Sequence, residues 1–439
     1  MKKGFKLFAL AFALLFAVVV KVNADEVVVT DEATLKTCVA TESNVCKLNG
    51  NIVLTDAVEI GTEVTIDLNG YSITPSATFP TDSLIIVLHG GTLTVNDSKG
   101  TGKISTTDAD PDVFVGIKMT KAGGDDTKQA TLIVNAGTIE GYDYGISGNG
   151  NPGRGNTLVT VNGGTVKSLS NSGVGIYQPQ EGAVLVSGGK VIGASGIEMR
   201  SGTLLVTGGT IEATAAFSST ASGNGSTTTG VGIAVAQHTT AKELVIAITG
   251  GTIKGEKSLY QSNIQNLDKA ALDKVQMGVI GGAFEGDVQS ENFEEFIAGG
   301  SYNTAVDASY IAGESDTEQG NNGILVVKTP WDIVVKETEN GTVTTPKTAY
   351  PGDTVKLDIK ANKGYKVASI KVVDDLFGEE ITVTDNSFVM PVSSVSVEVT
   401  FEKEEVVPNT GDNVVTFILI GLMSLVAFGY SANKLRKNA

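Results

Sequence analysis

Leu158-Val159-Thr160-Val161-Asn162-Gly163-Gly164-Thr165-Val166 is the stretch that decides how this chain folds. Apolar and polar residues alternate over its opening positions, the period of a strand with one buried face. Two glycines follow, which admit the positive-φ corner of a sharply turning chain, and a second short strand begins at once. The unit recurs as Leu132-Ile133-Val134-Asn135-Ala136-Gly137-Thr138-Ile139, Leu185-Val186-Ser187-Gly188-Gly189-Lys190-Val191 and Leu204-Leu205-Val206-Thr207-Gly208-Gly209-Thr210-Ile211. Further copies centre on Gly250-Gly251, Gly281-Gly282 and Gly299-Gly300. A second motif lies between them, in Gly116-Ile117, Gly145-Ile146, Gly175-Ile176, Gly196-Ile197 and Gly232-Ile233.

Counted from Gly91, the second glycines fall mostly 18 to 31 residues apart, with gaps of 46 and 42 that are near double. Such a period means a solenoid, because short strands bury their inward residues only when successive coils stack. Helical repeats would space apolar residues by three and four, and propeller blades would be longer and richer in aromatics. The expected fold is all-β: a parallel β-helix over residues 25–325. At roughly 4.8 Å per coil, about ten coils make a rod on the order of 50 Å long.

Asp31 to Val39 reads as a short amphipathic helix ahead of Ile52-Val53-Leu54 and Val64-Thr65-Ile66-Asp67-Leu68-Asn69-Gly70. This resembles the opening of pectate-lyase-like right-handed β-helices, which implies a right-handed coil with a helix over its first turn. Between residues 320 and 330 the period is lost. Strands are expected at Ile333–Lys336, Gly341–Thr345, Val355–Ala361, Val367–Val373, Ile381–Thr384 and Val395–Phe401, a small β domain over residues 330–403. Gly341-Thr342-Val343, Pro351-Gly352-Asp353-Thr354-Val355, Gly364-Tyr365-Lys366-Val367 and Phe388-Val389-Met390-Pro391 together resemble divergent internalin B-repeat modules. That resemblance implies a spacer or adhesive stalk unit of a surface protein.

The two ends point to export and anchoring. Lys2, Lys3 and Lys6 precede an uncharged apolar run from Leu7 to Val20, and Val22-Asn23-Ala24 supplies small residues for cleavage, so residues 1–24 are expected to be a signal peptide. In residues 404–439, Val407-Pro408-Asn409-Thr410-Gly411 precedes an uncharged stretch long enough to span a bilayer, with a helix expected over 414–432, and then Lys434, Arg436 and Lys437. This order resembles the sorting signal that sortases recognise in Gram-positive bacteria, with Val407 where that family usually has Leu. The resemblance implies that a sortase cysteine attacks the Thr410 carbonyl, Gly411 onward leaves, and a peptidoglycan amine captures the acyl group. A plain tail anchor is the simpler alternative. The expected location is the cell surface, with membrane contact only through the C-terminal helix.

The net charge of −17 opposes binding to nucleic acid or anionic lipid, which reward basic patches. Cys38 and Cys46 are the only cysteines, and in an exported chain they are expected to pair as a disulfide; two free thiols are the alternative. No cofactor or metal is expected. Catalysis by a β-helix would need converging carboxylates or a base beside a bound cation. Asp108, Asp110, Asp125 and Asp126 read as turn residues, His89 and His238 as corners, and Arg154 and Arg200 stand without a carboxylate cluster. No catalytic residue is therefore assigned, and the chain is read as no enzyme. Insertions at Ser147–Thr157 and Phe217–Gly230 interrupt the coils, and loops on one side of a solenoid form ligand surfaces. Tyr142, Tyr144 and Tyr177 are the candidates for stacking on sugar rings, half-buried turn aromatics being the alternative. Three functions stay open: an adhesin for an extracellular glycan or a host or neighbour-cell protein, a polysaccharide lyase or hydrolase, and a structural surface component.

Overall fold

The computed structural model describes residues 25–106, 113–223, 225–376 and 378–404. The expected signal peptide, the Val407–Gly411 motif and the helix at 414–432 lie outside the described residues, as do Asp108 and Asp110. Among the described residues no helix is long and apolar enough to cross a membrane.

Three columns of parallel strands form the rod; most coils supply one short strand to each column, and in the last coils Thr252–Gln261 and Val275–Ser290 run on through two and three columns. A representative coil runs through Thr157–Val161, Thr165–Ser168 and Val174–Gln178, and the next through Gly182–Val186, Lys190–Gly193 and Ser195–Met199. Strands of three to five residues cannot bury themselves, so the core consists of ladders that run the length of the rod. In the first column Ile66, Val95, Val134, Val161, Val186, Val206, Ile248 and Val279 stand in register, coil upon coil. In the second, Ile73, Ile104, Ile139, Val166, Val191, Ile211, Ile253 and Phe284 do the same. The third is carried by Val58, Ile85, Ile117, Ile146, Ile176, Ile197, Ile233, Leu259 and Val288. All are buried in one continuous core, and each fully buried aliphatic side chain stabilises by about 1.5–3 kcal/mol.

The paired glycines sit between the first and second columns. A Cβ at Gly163 would lie 2.2 Å from the Asn135 carbonyl oxygen of the preceding coil, and Gly164 has φ +68°. The first glycine therefore allows close stacking and the second allows the turn. Two features of the spacing read differently in three dimensions. Gly91 lies between the third and first columns, not at this corner, and the 42-residue gap from Gly209 to Gly251 is one coil with two insertions rather than two coils.

Both open ends of the stack are covered, which protects its edge strands from pairing with other chains. At the start, the helix Glu32–Val39 is capped by Asp31 and lays Leu35, Cys38 and Val39 onto the first coil. Cys38 and Cys46 form a disulfide that ties this helix to the first-column strand Val45–Leu48. At the far end Leu325–Lys328 pairs antiparallel with both Ile297–Tyr302 and Asp316–Gln319.

The small β domain follows directly. Ile280, Ala298 and Ala312 of the rod pack with Trp331, Leu376 and Val392 of the domain, and Thr329 Oγ1 donates to the Ala298 carbonyl at 2.7 Å. Its main sheet pairs Tyr365–Asp374 antiparallel with Val395–Lys403, while Trp331–Val335 lies parallel to the latter. The single strand expected over Val355–Ala361 is two: Thr354–Lys356 pairs with Ser387–Val389, and Asp358–Ala361 pairs with Gly341–Thr344. The change of partner falls at Leu357, which is buried in the domain's own core.

Two outcomes test this packing. Gly163→Ala should lower stability by at least about 2 kcal/mol because backbone must shift, while Gly50→Ala, with nothing within 4 Å of the new Cβ, should stay within about 0.5 kcal/mol in denaturant titration. Replacing both Cys38 and Cys46 by Ala opens a short loop worth about 2–3 kcal/mol, and hydrogen exchange should rise in residues 26–48 while the middle coils stay protected.

Candidate functional site

The first two corners of each coil are mostly short, but the third corner, from the third column back to the first, varies greatly. It spans 120–129 and 148–156 in two successive coils, only 179–181 and 200–201 in the next two, then 236–243 and 262–274. Two short corners between pairs of long ones leave a cleft of about 440 Å³. Pro179, Gln180, Glu181 and Ser201 form its floor; Asp126, Gly150 to Gly153, Gly155 and Asn156 line one wall, and Thr240 and Lys242 the other. No aromatic residue is among its lining residues.

The floor is built on a buried amide network. Gln178 Nε2 donates to Thr157 Oγ1 at 3.2 Å and to the Gln180 carbonyl at 3.0 Å. Gln180 Nε2 donates to Gln178 Oε1 at 3.2 Å and Thr157 Oγ1 at 3.3 Å. Gly148 packs against this network: a Cβ there would lie 2.0 Å from the Gln180 amide and would displace it. Gln180 is 3% exposed and Ser201 0%, yet Gln180 Oε1 and Ser201 Oγ find no hydrogen-bond partner in the protein. Across the cleft Lys242 Nζ pairs with Glu181 at 3.1 Å.

A second polar cluster occupies the outer side of the third column. Tyr144 and Tyr177 stack with ring centroids 5.1 Å apart, whereas Tyr142 stands apart from the pair at a second corner, half exposed. The insertion at 217–230 leaves its coil at the second corner, forms a small hairpin and folds over this face. Tyr177 is 6% exposed, and its hydroxyl donates to the Gly225 carbonyl at 2.9 Å. Burial pushes the Tyr177 hydroxyl up to about 12 against the pull of the Arg200 charge.

Arg200 is wholly buried beneath the same hairpin and donates to the carbonyls of Gly225 (2.7 Å), Ser222 (2.9 Å) and Ala236 (3.3 Å). Glu198, equally buried, accepts from the N–H groups and hydroxyls of Thr227 and Thr228 at 2.8 to 3.2 Å. Burial raises the Glu198 pKa; the Thr227 N–H, the Arg200 charge and the two hydroxyls act against it. These charges hold a loop rather than face an open site. Reading the sequence flagged Arg200 but not Glu198, Gln180 or Ser201, since nothing in Gly196-Ile197-Glu198-Met199 or Pro179-Gln180-Glu181 marks them as buried.

The remaining polar residues serve corners. His238 Nδ1 accepts from the Thr240 N–H at 3.2 Å, and burial lowers its pKa. His89 Nε2 lies 2.9 Å from the Gly155 carbonyl and ties neighbouring loops together. Asp125 accepts from Thr127 within its own turn, which holds its pKa low. Arg154 Nη1 reaches the Thr120 carbonyl at 3.4 Å. Among the described residues no group of three or more His, Cys, Asp and Glu is placed to hold a metal ion.

Residues 332–405 match the divergent InlB B-repeat domain. This is the small β domain at the end of the rod. Comparison with curated proteins gives no match, and comparison with solved structures gives none either. A module of this family fits a bacterial surface protein, and display outside the cell is compatible with it.

Arg200→Ala should detach the hairpin, because it strands the buried carbonyls of Gly225 and Ser222 that Arg200 satisfies, at about 1–3 kcal/mol for each group left unpaired. Limited proteolysis should then cut within 217–230, whereas the same segment of the unaltered protein should resist cleavage.

Proposed function

We propose that this chain is a surface-displayed binding rod: exported by residues 1–24, joined to peptidoglycan by a sortase at Thr410, and presenting its coils to extracellular ligands. The observation that carries this reading is the InlB B-repeat domain match at 332–405, directly after the rod and directly before Val407-Pro408-Asn409-Thr410-Gly411. In that order the small domain acts as a spacer between anchor and rod. Sealing of the rod's far end against it supports this role, since a packed junction transmits the rod's orientation better than a flexible linker would.

The reading assigns binding rather than catalysis. Arg200 and Glu198 are engaged by backbone and hydroxyl partners, most of them in the 217–230 hairpin, and no histidine is among the residues lining the cleft. The acidic surface disfavours nucleic acid and anionic membranes as partners.

Anchoring is tested on intact cells. The chain should fractionate with peptidoglycan and be released by a muralytic enzyme, its mature N-terminus should be Asp25, and Thr410→Ala should shift it to the membrane or the medium. Peptidoglycan linkage that survives Thr410→Ala would sink the sortase assignment.

A further inference from the structure

The third-corner cleft has a shape that suits a polymer. Asp126, Gly150 to Gly153 with Gly155 and Asn156, Pro179 to Glu181, Ser201, and Thr240 with Lys242 come from five successive coils, so the cleft runs along the rod axis rather than across it. At roughly 4.8 Å per coil it extends about 20 Å. Its volume of about 440 Å³ lies within the roughly 300–1,000 Å³ usual for small-ligand sites.

Its chemistry selects among polymers. Gln180 and Ser201 line the floor, and the buried Gln180 Oε1 and Ser201 Oγ each lack a hydrogen-bond partner in the protein. Leaving each unsatisfied carries a desolvation penalty, which a ligand that donates and accepts in alternation recovers. The two bonds from Gln180 Nε2 are long, 3.2 and 3.3 Å, so the amide can swing toward a ligand at small cost. Asp126 and Glu181 outnumber Lys242, and Lys242 is already engaged with Glu181, so an anionic polymer meets net repulsion. Without aromatic lining, recognition rests on hydrogen bonds to hydroxyls and not on ring stacking.

We infer that this cleft binds a neutral, hydroxyl-rich polysaccharide lying along the rod, with Gln180 and Ser201 as its specificity-determining contacts. The inference rests on the reading of the chain as an extracellular binding rod and gives that rod its site and ligand class. It also moves the binding surface away from Tyr144 and Tyr177, which the 217–230 hairpin covers.

The test uses the purified full chain with neutral polysaccharides (glucan, mannan, galactan, xylan) and two acidic ones (polygalacturonate, hyaluronate), with affinity read by titration calorimetry. Binding of at least one neutral polymer and neither acidic one is expected. Gln180→Leu should weaken it at least tenfold and Ser201→Ala several-fold. Asn151→Trp, on an exposed wall position, should block it while leaving the thermal transition unchanged and so separates loss of site from loss of fold. Failure of every neutral polymer, preference for an acidic one, or full binding by Asn151→Trp would overturn the inference. Because wall attachment is measured separately through Thr410, each of these failures leaves the anchoring assignment standing on its own result.

Discussion

A strand of four residues buries two side chains on one face and leaves its backbone groups unpaired at both edges. The rod resolves both problems with one device, the in-register stacking of coil on coil. Parallel pairing at every step satisfies the backbone and lines up Ile66, Val95, Val134 and their successors into a ladder. The condition for this is close approach at the corner, and Gly163, with no room for a Cβ beside the Asn135 carbonyl, shows how close. Everything else in the architecture follows from keeping that stack continuous: the helix and disulfide over one end, the antiparallel strands and small domain over the other.

Because the ladders fix the inward positions, variation is confined to corners and outer faces. From Gly163-Gly164 onward the first corner keeps a glycine pair because its backbone approaches the preceding coil so closely, but the third is free to lengthen or shorten without disturbing any ladder. Alternation of long and short third corners produces the cleft at no cost to the core. The 217–230 insertion shows the opposite use of the same freedom: it spends its polar contacts on Glu198 and Arg200, and turns what would be an open face into a closed one.

This division explains what the sequence discloses. Strand periodicity and the glycine pairs are direct imprints of the ladder and the close approach, so all-β parallel stacking and the distinct small domain are legible from residues alone. The coil count by glycines drifts where Gly91 sits at another corner, since a glycine does not say which corner it serves. Cys38 and Cys46 carried no geometry of their own; the helix Glu32–Val39 supplies it. Tyr142, Tyr144 and Tyr177 look alike in sequence but differ in exposure, because a distant loop covers two and misses the third. Gln180 and Ser201 were invisible as site residues for a related reason: their isolation from hydrogen-bond partners depends on loops contributed by other coils.

The most direct measurement is hydrogen–deuterium exchange on the full chain with and without a neutral polysaccharide that binds it. Slowed exchange confined to 148–156, 179–181 and 236–243 is the predicted result, placing the ligand along the third corner of successive coils. Slowed exchange confined to the 217–230 hairpin or to residues 332–404 would contradict it and put recognition elsewhere on the molecule.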